Sequence, residues 1–216
     1  VNIVITLTEK DDQAPLTITG NTTLVYGQKL TLGTTGGSGT GAVTYRIAEA
    51  GGTGEATIDA DGILIPVRVG TVTIIAAKAG DADYNEVTSK PFVITITKAL
   101  PTGEPKYTVI TTAGRTLADA GLTLTGSNLN PADGTLEWID DAGKDLSDNT
   151  KVEVNKAYKW RFTPTDTNYN ILTGEITPYT VYSIIDGSNS SWTQNTDGTL
   201  AIRCNPEFTK FQMVKV

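Results

Sequence analysis

Asp81-Ala-Asp-Tyr84-Asn85 returns as Asp166-Thr-Asn-Tyr169-Asn170, with Asp81 and Asp166 standing 85 residues apart. Each copy follows a run in which apolar and polar residues alternate, and each is followed by a Thr (Thr88, Thr173) and a second such run. Self-similarity at that period marks one structural plan used twice in series. A unit of about 85 residues is large enough to bury a core of its own.

The composition agrees with an all-β plan. Thr supplies 37 of the 216 residues and Gly 22, and β-branched residues with turn formers in that proportion favour strands over helices. Reading outward from the first copy, residues 13–99 break into short apolar-alternating runs. They are Leu16–Thr19, Lys29–Thr35, Ala42–Ile47, Ala56–Ile58, Ile63–Val67, Thr71–Lys78 and Val87–Thr97. Turn residues separate them: Gly36-Gly-Ser-Gly39, Gly51-Gly-Thr-Gly54, Asp59-Ala-Asp-Gly62 and Ala79-Gly-Asp81. Short strands spaced about 8 to 12 residues apart predict a β-sandwich. Residues 100–182 predict a second sandwich, with strands over Tyr107–Thr111, Thr123–Gly126, Gly134–Ile139, Lys151–Val154, Ala157–Thr163 and Gly174–Tyr182. A single helical turn fits Arg115–Gly121, and Asp140-Asp-Ala-Gly143 has hairpin-turn composition.

The joint Ala99-Leu-Pro-Thr-Gly103 is short and carries Pro101, so the two sandwiches are expected to stand end to end. Residues 1–12 read as the last strand of a preceding repeat or as a linker. Val1–Thr8 is expected to pair with the first sandwich or with another copy. Residues 183–216 read as the truncated start of a third module, with a strand–turn–strand around Asp197-Gly198 and a further strand opening at Phe208. That tail is expected to be poorly ordered or paired with another chain, because a cut sandwich leaves bare edges. Both ends read as cut from something longer.

Several chemistries lack material. A formal charge of −7 disfavours nucleic acid or an anionic membrane as partner, since both call for a basic patch. No apolar run nears the roughly 18 residues of a membrane span. The chain has no His, which removes Ser-His-Asp triads and most metal sites. It reads as no enzyme, with no cofactor, no metal and no catalytic residue. The one cysteine, Cys204, rules out an intrachain disulfide and reads as a small filler rather than a nucleophile.

In the repeated phrase the Asp is expected to bond backbone amides two residues on, and Asn tolerates a left-handed turn position. Tyr84 and Tyr169 are expected to bury their rings and send the hydroxyl to a backbone carbonyl, as a tyrosine corner does. The competing reading is calcium on Asp81 and Asp83, weakened by Asn168 in the second copy, since calcium takes six to eight oxygens. Asp59-Ala-Asp-Gly62 opens like a calcium loop but continues Ile63-Leu-Ile-Pro66, so a hairpin turn is the expectation. Gly33-Thr-Thr-Gly-Gly-Ser-Gly-Thr-Gly41 has no Lys placed for a phosphate loop and precedes a strand, and reads as a flexible inter-strand loop.

Tyr107, Trp138, Tyr158, Trp160 and Trp192 are the candidates for stacking on a glycan. Tyr158, Trp160 and Phe162 share one strand face, which predicts core instead. A Lys–Asn isopeptide crosslink, assisted by a carboxylate in an apolar pocket, would show as an intact mass lower by one ammonia.

Tyr26-Gly-Gln-Lys-Leu-Thr-Leu32, Gly36-Gly-Ser-Gly-Thr-Gly-Ala-Val-Thr-Tyr45, Gly70-Thr-Val-Thr-Ile74, Ala79-Gly-Asp-Ala-Asp-Tyr-Asn85 and Ile94-Thr-Ile-Thr-Lys98 resemble bacterial immunoglobulin-like repeats of the MBG type. Gly121-Leu-Thr-Leu-Thr-Gly126, Gly134-Thr-Leu-Glu-Trp138 and Tyr158-Lys-Trp-Arg-Phe-Thr-Pro164 resemble a sister repeat. The resemblance implies tandem immunoglobulin-like sandwiches in a large cell-surface or secreted bacterial protein. The role it implies is that of a non-catalytic stalk or spacer whose neighbours are modules of the same parent chain. Two alternatives stand beside it: an adhesin module binding a host protein or glycan, and an accessory module of a glycan-degrading enzyme.

Overall fold

The computed structural model describes residues 9–49 and 52–181 in full, and the backbone of Tyr182–Ile184, Ser191–Gln194, Leu200–Arg203 and Met213–Lys215. The expectations for Val1–Thr8 and Cys204 lie outside the described residues, as does the side chain of Trp192. The chain is all-β, with strands in several sheets and, among the described residues, one helical turn. By its internal packing it divides into two units, Val1–Ala99 and Leu100–Val216.

In the first unit the strands are β1 (Leu16–Thr19), β2 (Thr23–Val25), β3 (Leu30–Thr31), β4 (Gly33–Gly36), β5 (Val43–Ile47), β6 (Glu55–Ile58), β7 (Ile63–Arg68), β8 (Gly70–Lys78), β9 (Val87–Thr88) and β10 (Phe92–Thr97). They form three hydrogen-bonded groups: β1–β4, β3–β7–β6, and β2–β10–β8–β5 with β9 also on β8. Every pairing is antiparallel except β2 with β10, which is parallel. Alternation puts Leu16, Ile18, Leu64, Val72, Ile74, Ala76, Ile94 and Ile96 into one buried core, while the odd partners Thr17, Thr19, Thr95 and Thr97 face water.

Three strand expectations need correction. Lys29–Thr35 is two strands, because Leu32 turns inward to the core and the run changes partner from β7 to β1. Val87–Thr97 breaks at Ser89-Lys-Pro91, where Pro91 has no N–H for the ladder. Thr23–Val25 was not expected as a strand; three residues carry too short a pattern to stand out from Asn21-Thr-Thr-Leu-Val25.

In the second unit the regular part is smaller. It consists of α1 (Leu117–Ala120), β11 (Gly134–Ile139), β12 (Tyr158–Pro164) and β13 (Leu172–Ile176), with β11–β12–β13 as one antiparallel sheet. The expected strands Tyr107–Thr111, Thr123–Gly126 and Lys151–Val154 are reduced to isolated bridges, and Gly174–Tyr182 is split after Ile176. Pro105, Gly126 and Pro178 cut these runs before a ladder can extend. Beyond them, β14 (Tyr182–Ile184) pairs with β17 (Met213–Lys215), and β15 (Ser191–Gln194) with β16 (Leu200–Arg203), all antiparallel. Of the tail expectation, only these two strand pairs fall among the described residues.

Some pairings of like sense fall in the same chain order in the two units. The antiparallel β1–β4 has a counterpart in Lys106↔Thr123, the parallel β2–β10 in Ile110↔Tyr179, and β3–β7 in Thr116↔Lys151. The sheet β5–β8–β10 has its counterpart in β11–β12–β13. The repeated phrase sits at the same place in both, between β8 and β9 and between β12 and β13.

The second core gathers Ile110, Leu117, Ala120, Leu129, Trp138, Val152, Tyr158, Trp160, Phe162 and Ile176. Trp138 meets Tyr158 edge-on, with centroids 6.5 Å apart and planes at 78°. Two strand glycines seat the aromatics. A Cβ on Gly174 would stand 2.5 Å from Cζ2 of Trp160, its partner across the ladder, and one on Gly134 would stand 2.5 Å from Cε2 of Phe162.

Candidate functional site

One loop cluster in the first unit collects most of the motifs that the sequence offers. It joins Lys10–Gln13, the glycine-rich segment after β4, and the first copy of the repeated phrase. Asp81 organises it. Oδ1 accepts the N–H groups of Asp83 and Tyr84, both at 3.0 Å, and Oδ2 accepts N–H and Oγ1–H of Thr40 at 2.7 and 3.2 Å. The Asp81 N–H donates to the Tyr84 carbonyl at 3.0 Å. The Thr40 amide, followed by that of Asp83, holds the Asp81 carboxyl at about 2, below its ordinary 3.8.

The chain ahead of β1 docks on the same turn. Asp11 bridges Tyr84 in parallel, donating its N–H to the Asp83 carbonyl and accepting from the Asn85 N–H. Gln13 closes the cluster from inside and is 8% exposed. Its Nε2 donates to the carbonyls of Asn85 (2.6 Å) and Ala79 (3.1 Å), and its Oε1 accepts the Ser38 N–H (3.0 Å). One side chain therefore fastens three loops.

The glycine-rich segment is not the flexible loop expected. Gly36, Gly37 and Gly39 have φ of +81°, +72° and +70°. A Cβ on Gly36 would collide with the Pro15 carbonyl, and one on Gly41 with the Ala79 carbonyl. Backbone meets backbone there, which is why the positions are glycine.

The phrase opens an Asx turn in both copies: in the second, Asp166 Oδ1 accepts the Asn168 N–H at 2.9 Å, and the Tyr169 N–H donates to the Asp166 carbonyl at 3.1 Å. At Tyr84 the tyrosine-corner expectation fails. Tyr84 and Tyr169 are both half-buried; Tyr84 bonds through its backbone while its ring lies over Gly39. The corner belongs to Tyr158, at the start of β12. Its hydroxyl donates to the Lys151 carbonyl at 3.1 Å and accepts the Glu153 N–H at 3.0 Å. Tyr158→Phe is expected to cost about 1–2 kcal/mol, read as a lower denaturation midpoint of the second unit alone.

Acid gives a second expected outcome. Because the Asp81 carboxyl titrates lower folded than unfolded, its contribution is complete above about 4 and is lost as pH falls towards about 2. Protection of the Thr40 and Asp83 amides against hydrogen exchange, relative to their intrinsic rates, should fall across that window, and Asp81→Asn should flatten the dependence. Equal profiles for the two proteins would refute the clasp.

The remaining candidates are structural. Asp59 Oδ1 accepts the N–H groups of Asp61 (3.0 Å) and Ile63 (2.8 Å), with Gly62 at φ +77°, in the hairpin from β6 to β7. Asp140 does the same with Ala142 and Lys144, both at 2.9 Å, with Gly143 at φ +79°. Both are hairpin turns closed by an αL glycine. Trp138, Tyr158 and Trp160 are in the core and offer no free stacking face, and Tyr107 packs half-buried against it. For the isopeptide hypothesis, every lysine among the described residues is at least partly exposed. Lys156 pairs with Glu153, and Lys159 with Asp141 and Glu175.

Among the described residues, a groove and a cleft are of ligand size. A groove of about 470 Å³ runs between β1 and Val87–Phe92, lined by Gln13, Leu16, Ile18, Lys90 and Phe92 among others. In the second unit a cleft of about 460 Å³ has Leu122, Leu136 and Leu146 beside Glu137, Asp145 and Asp148. Arg161 already spans Glu137 and Asp145, with its Nη2 at 2.6 Å from each. Compared with family models, curated proteins and solved structures, the chain gives no match.

Proposed function

We propose that the chain is a non-catalytic spacer segment built of tandem immunoglobulin-like sandwiches, belonging to an extracellular, surface-attached or secreted bacterial protein. The observation that carries this reading is the shared pairing scheme. Placing β1–β4/β3–β7–β6 in one layer and β2–β10–β8–β5 in the other follows the immunoglobulin order of strands. The second unit repeats that order with thinner ladders. The loops support it as well, because their carboxylates and amides are engaged with backbone groups of their own unit.

The adhesive reading has one observation on its side, the groove between β1 and Val87–Phe92, whose volume is within the roughly 300–1,000 Å³ of small-ligand sites. A glycan array and a panel of matrix proteins, probed with the full chain, separate the two. The spacer reading expects no saturable binding. Saturable binding that Phe92→Asp or Lys90→Glu weakens would overturn it in favour of adhesion.

A further inference from the structure

We infer that the parallel β2–β10 ladder is a force-bearing clamp that makes the first unit the last part of this chain to yield under end-to-end tension. Tension along the chain enters β2 at Thr23 and leaves β10 at Thr97. In a parallel pair Thr23 lies opposite Thr95 and Val25 opposite Thr97, so those two points are at opposite ends of the ladder. The strands must then slide past each other, and all the rungs are strained together. The ladder extends beyond its paired residues: Thr95 N–H donates to the Thr22 carbonyl at 2.8 Å, and Tyr26 N–H donates to the Thr97 carbonyl at 2.9 Å. Leu24 and Ile96, buried under the ladder, keep water from its inner side.

The second unit contrasts at each point. Among the described residues its parallel contact is the bridge Ile110↔Tyr179, with Ile110 N–H on the Pro178 carbonyl at 2.8 Å. The pair β14–β17 is antiparallel, with Tyr182 opposite Lys215. Tension arriving at Tyr182 and leaving at Lys215 acts on the two members of one rung, so this ladder opens one bond at a time. The inference rests on the pairing geometry and not on the spacer reading; a soft first unit would sink it and leave the spacer standing.

The experiment is single-molecule stretching of the full chain held between two reference domains, since forced unfolding follows the unfolding barrier. The highest-force event should release the length of the first unit. Tyr26→Pro, which deletes the Tyr26–Thr97 rung at an edge strand, should lower that force well below the value for Tyr26→Ala, which keeps the N–H and loses the ring. Should Tyr26→Pro fail to fold, Asn21→Cys with Lys90→Cys in a Cys204→Ser background loads the same ladder from one end. Pulling through those thiols should then reduce the force several-fold. A first unit that yields before or together with the second, or a force indifferent to pulling direction, would overturn the clamp.

Discussion

Phe162→Ala is expected to collapse the second unit and leave the first standing. Phe162 is fully buried on β12, between its ladder partners Leu136 and Leu172, with its ring edge against Gly134. Truncation removes the ring's transfer free energy and leaves a cavity, together about 3–5 kcal/mol. Neighbouring atoms are poorly placed to fill it, because Trp138, Tyr158 and Trp160 are rigid rings already locked by their own contacts. A unit of this size has only about 5–15 kcal/mol in total, so the loss approaches the whole reserve. The first core, built from Leu16 to Ile96, shares no residue with the second, and distant independent sites act additively. Calorimetry of the full chain should show one transition falling and the other fixed. Two transitions moving together would mean that the cores are coupled and that two separately folding units is the wrong description.

The strands that the sequence made legible are those with alternation longer than about five residues. Thr71–Lys78, Ala157–Thr163 and Gly134–Ile139, observed as Gly70–Lys78, Tyr158–Pro164 and Gly134–Ile139, carry enough period-2 signal to place their inner faces without any contact information. Tyr158, Trp160 and Phe162 are in the core because alternation left them nowhere else. What escaped notice has a physical cause in each case. β2 is three residues long and is defined by its parallel partner, which is more than seventy residues away. The glycine-rich segment carries no sign that its glycines serve close backbone approach rather than freedom, since both needs select the same residue. The corner at Tyr158 was not read from the sequence because its deciding property, a hydroxyl aimed back at residues 151 and 153, is tertiary.

Gln13 was the least legible residue of the loop cluster, and its removal should be the most costly change there. Nothing in Asp11-Asp-Gln-Ala-Pro15 marks the glutamine, yet its carboxamide reaches Asn85, Ala79 and Ser38 in two other loops. Gln13→Leu keeps the bulk and deletes every bond. The Ser38 N–H and the two carbonyls would lose a partner in a place that water reaches poorly, and each orphaned group costs about 1–3 kcal/mol. Partial relaxation of the loops brings the expected loss to about 3 kcal/mol, read as a lower midpoint of the first transition with the second unmoved. Gln13→Glu makes the test directional. It retains an acceptor for Ser38 but turns a carboxylate oxygen towards the Ala79 and Asn85 carbonyls, so it should be worse than leucine at neutral pH. Protonation restores one donor, and the glutamate variant should recover towards wild type as pH falls through the carboxyl range, until the loss of the Asp81 clasp intervenes near the acid end. A leucine variant as stable as the wild type would mean that backbone packing of the glycines holds the loops by itself.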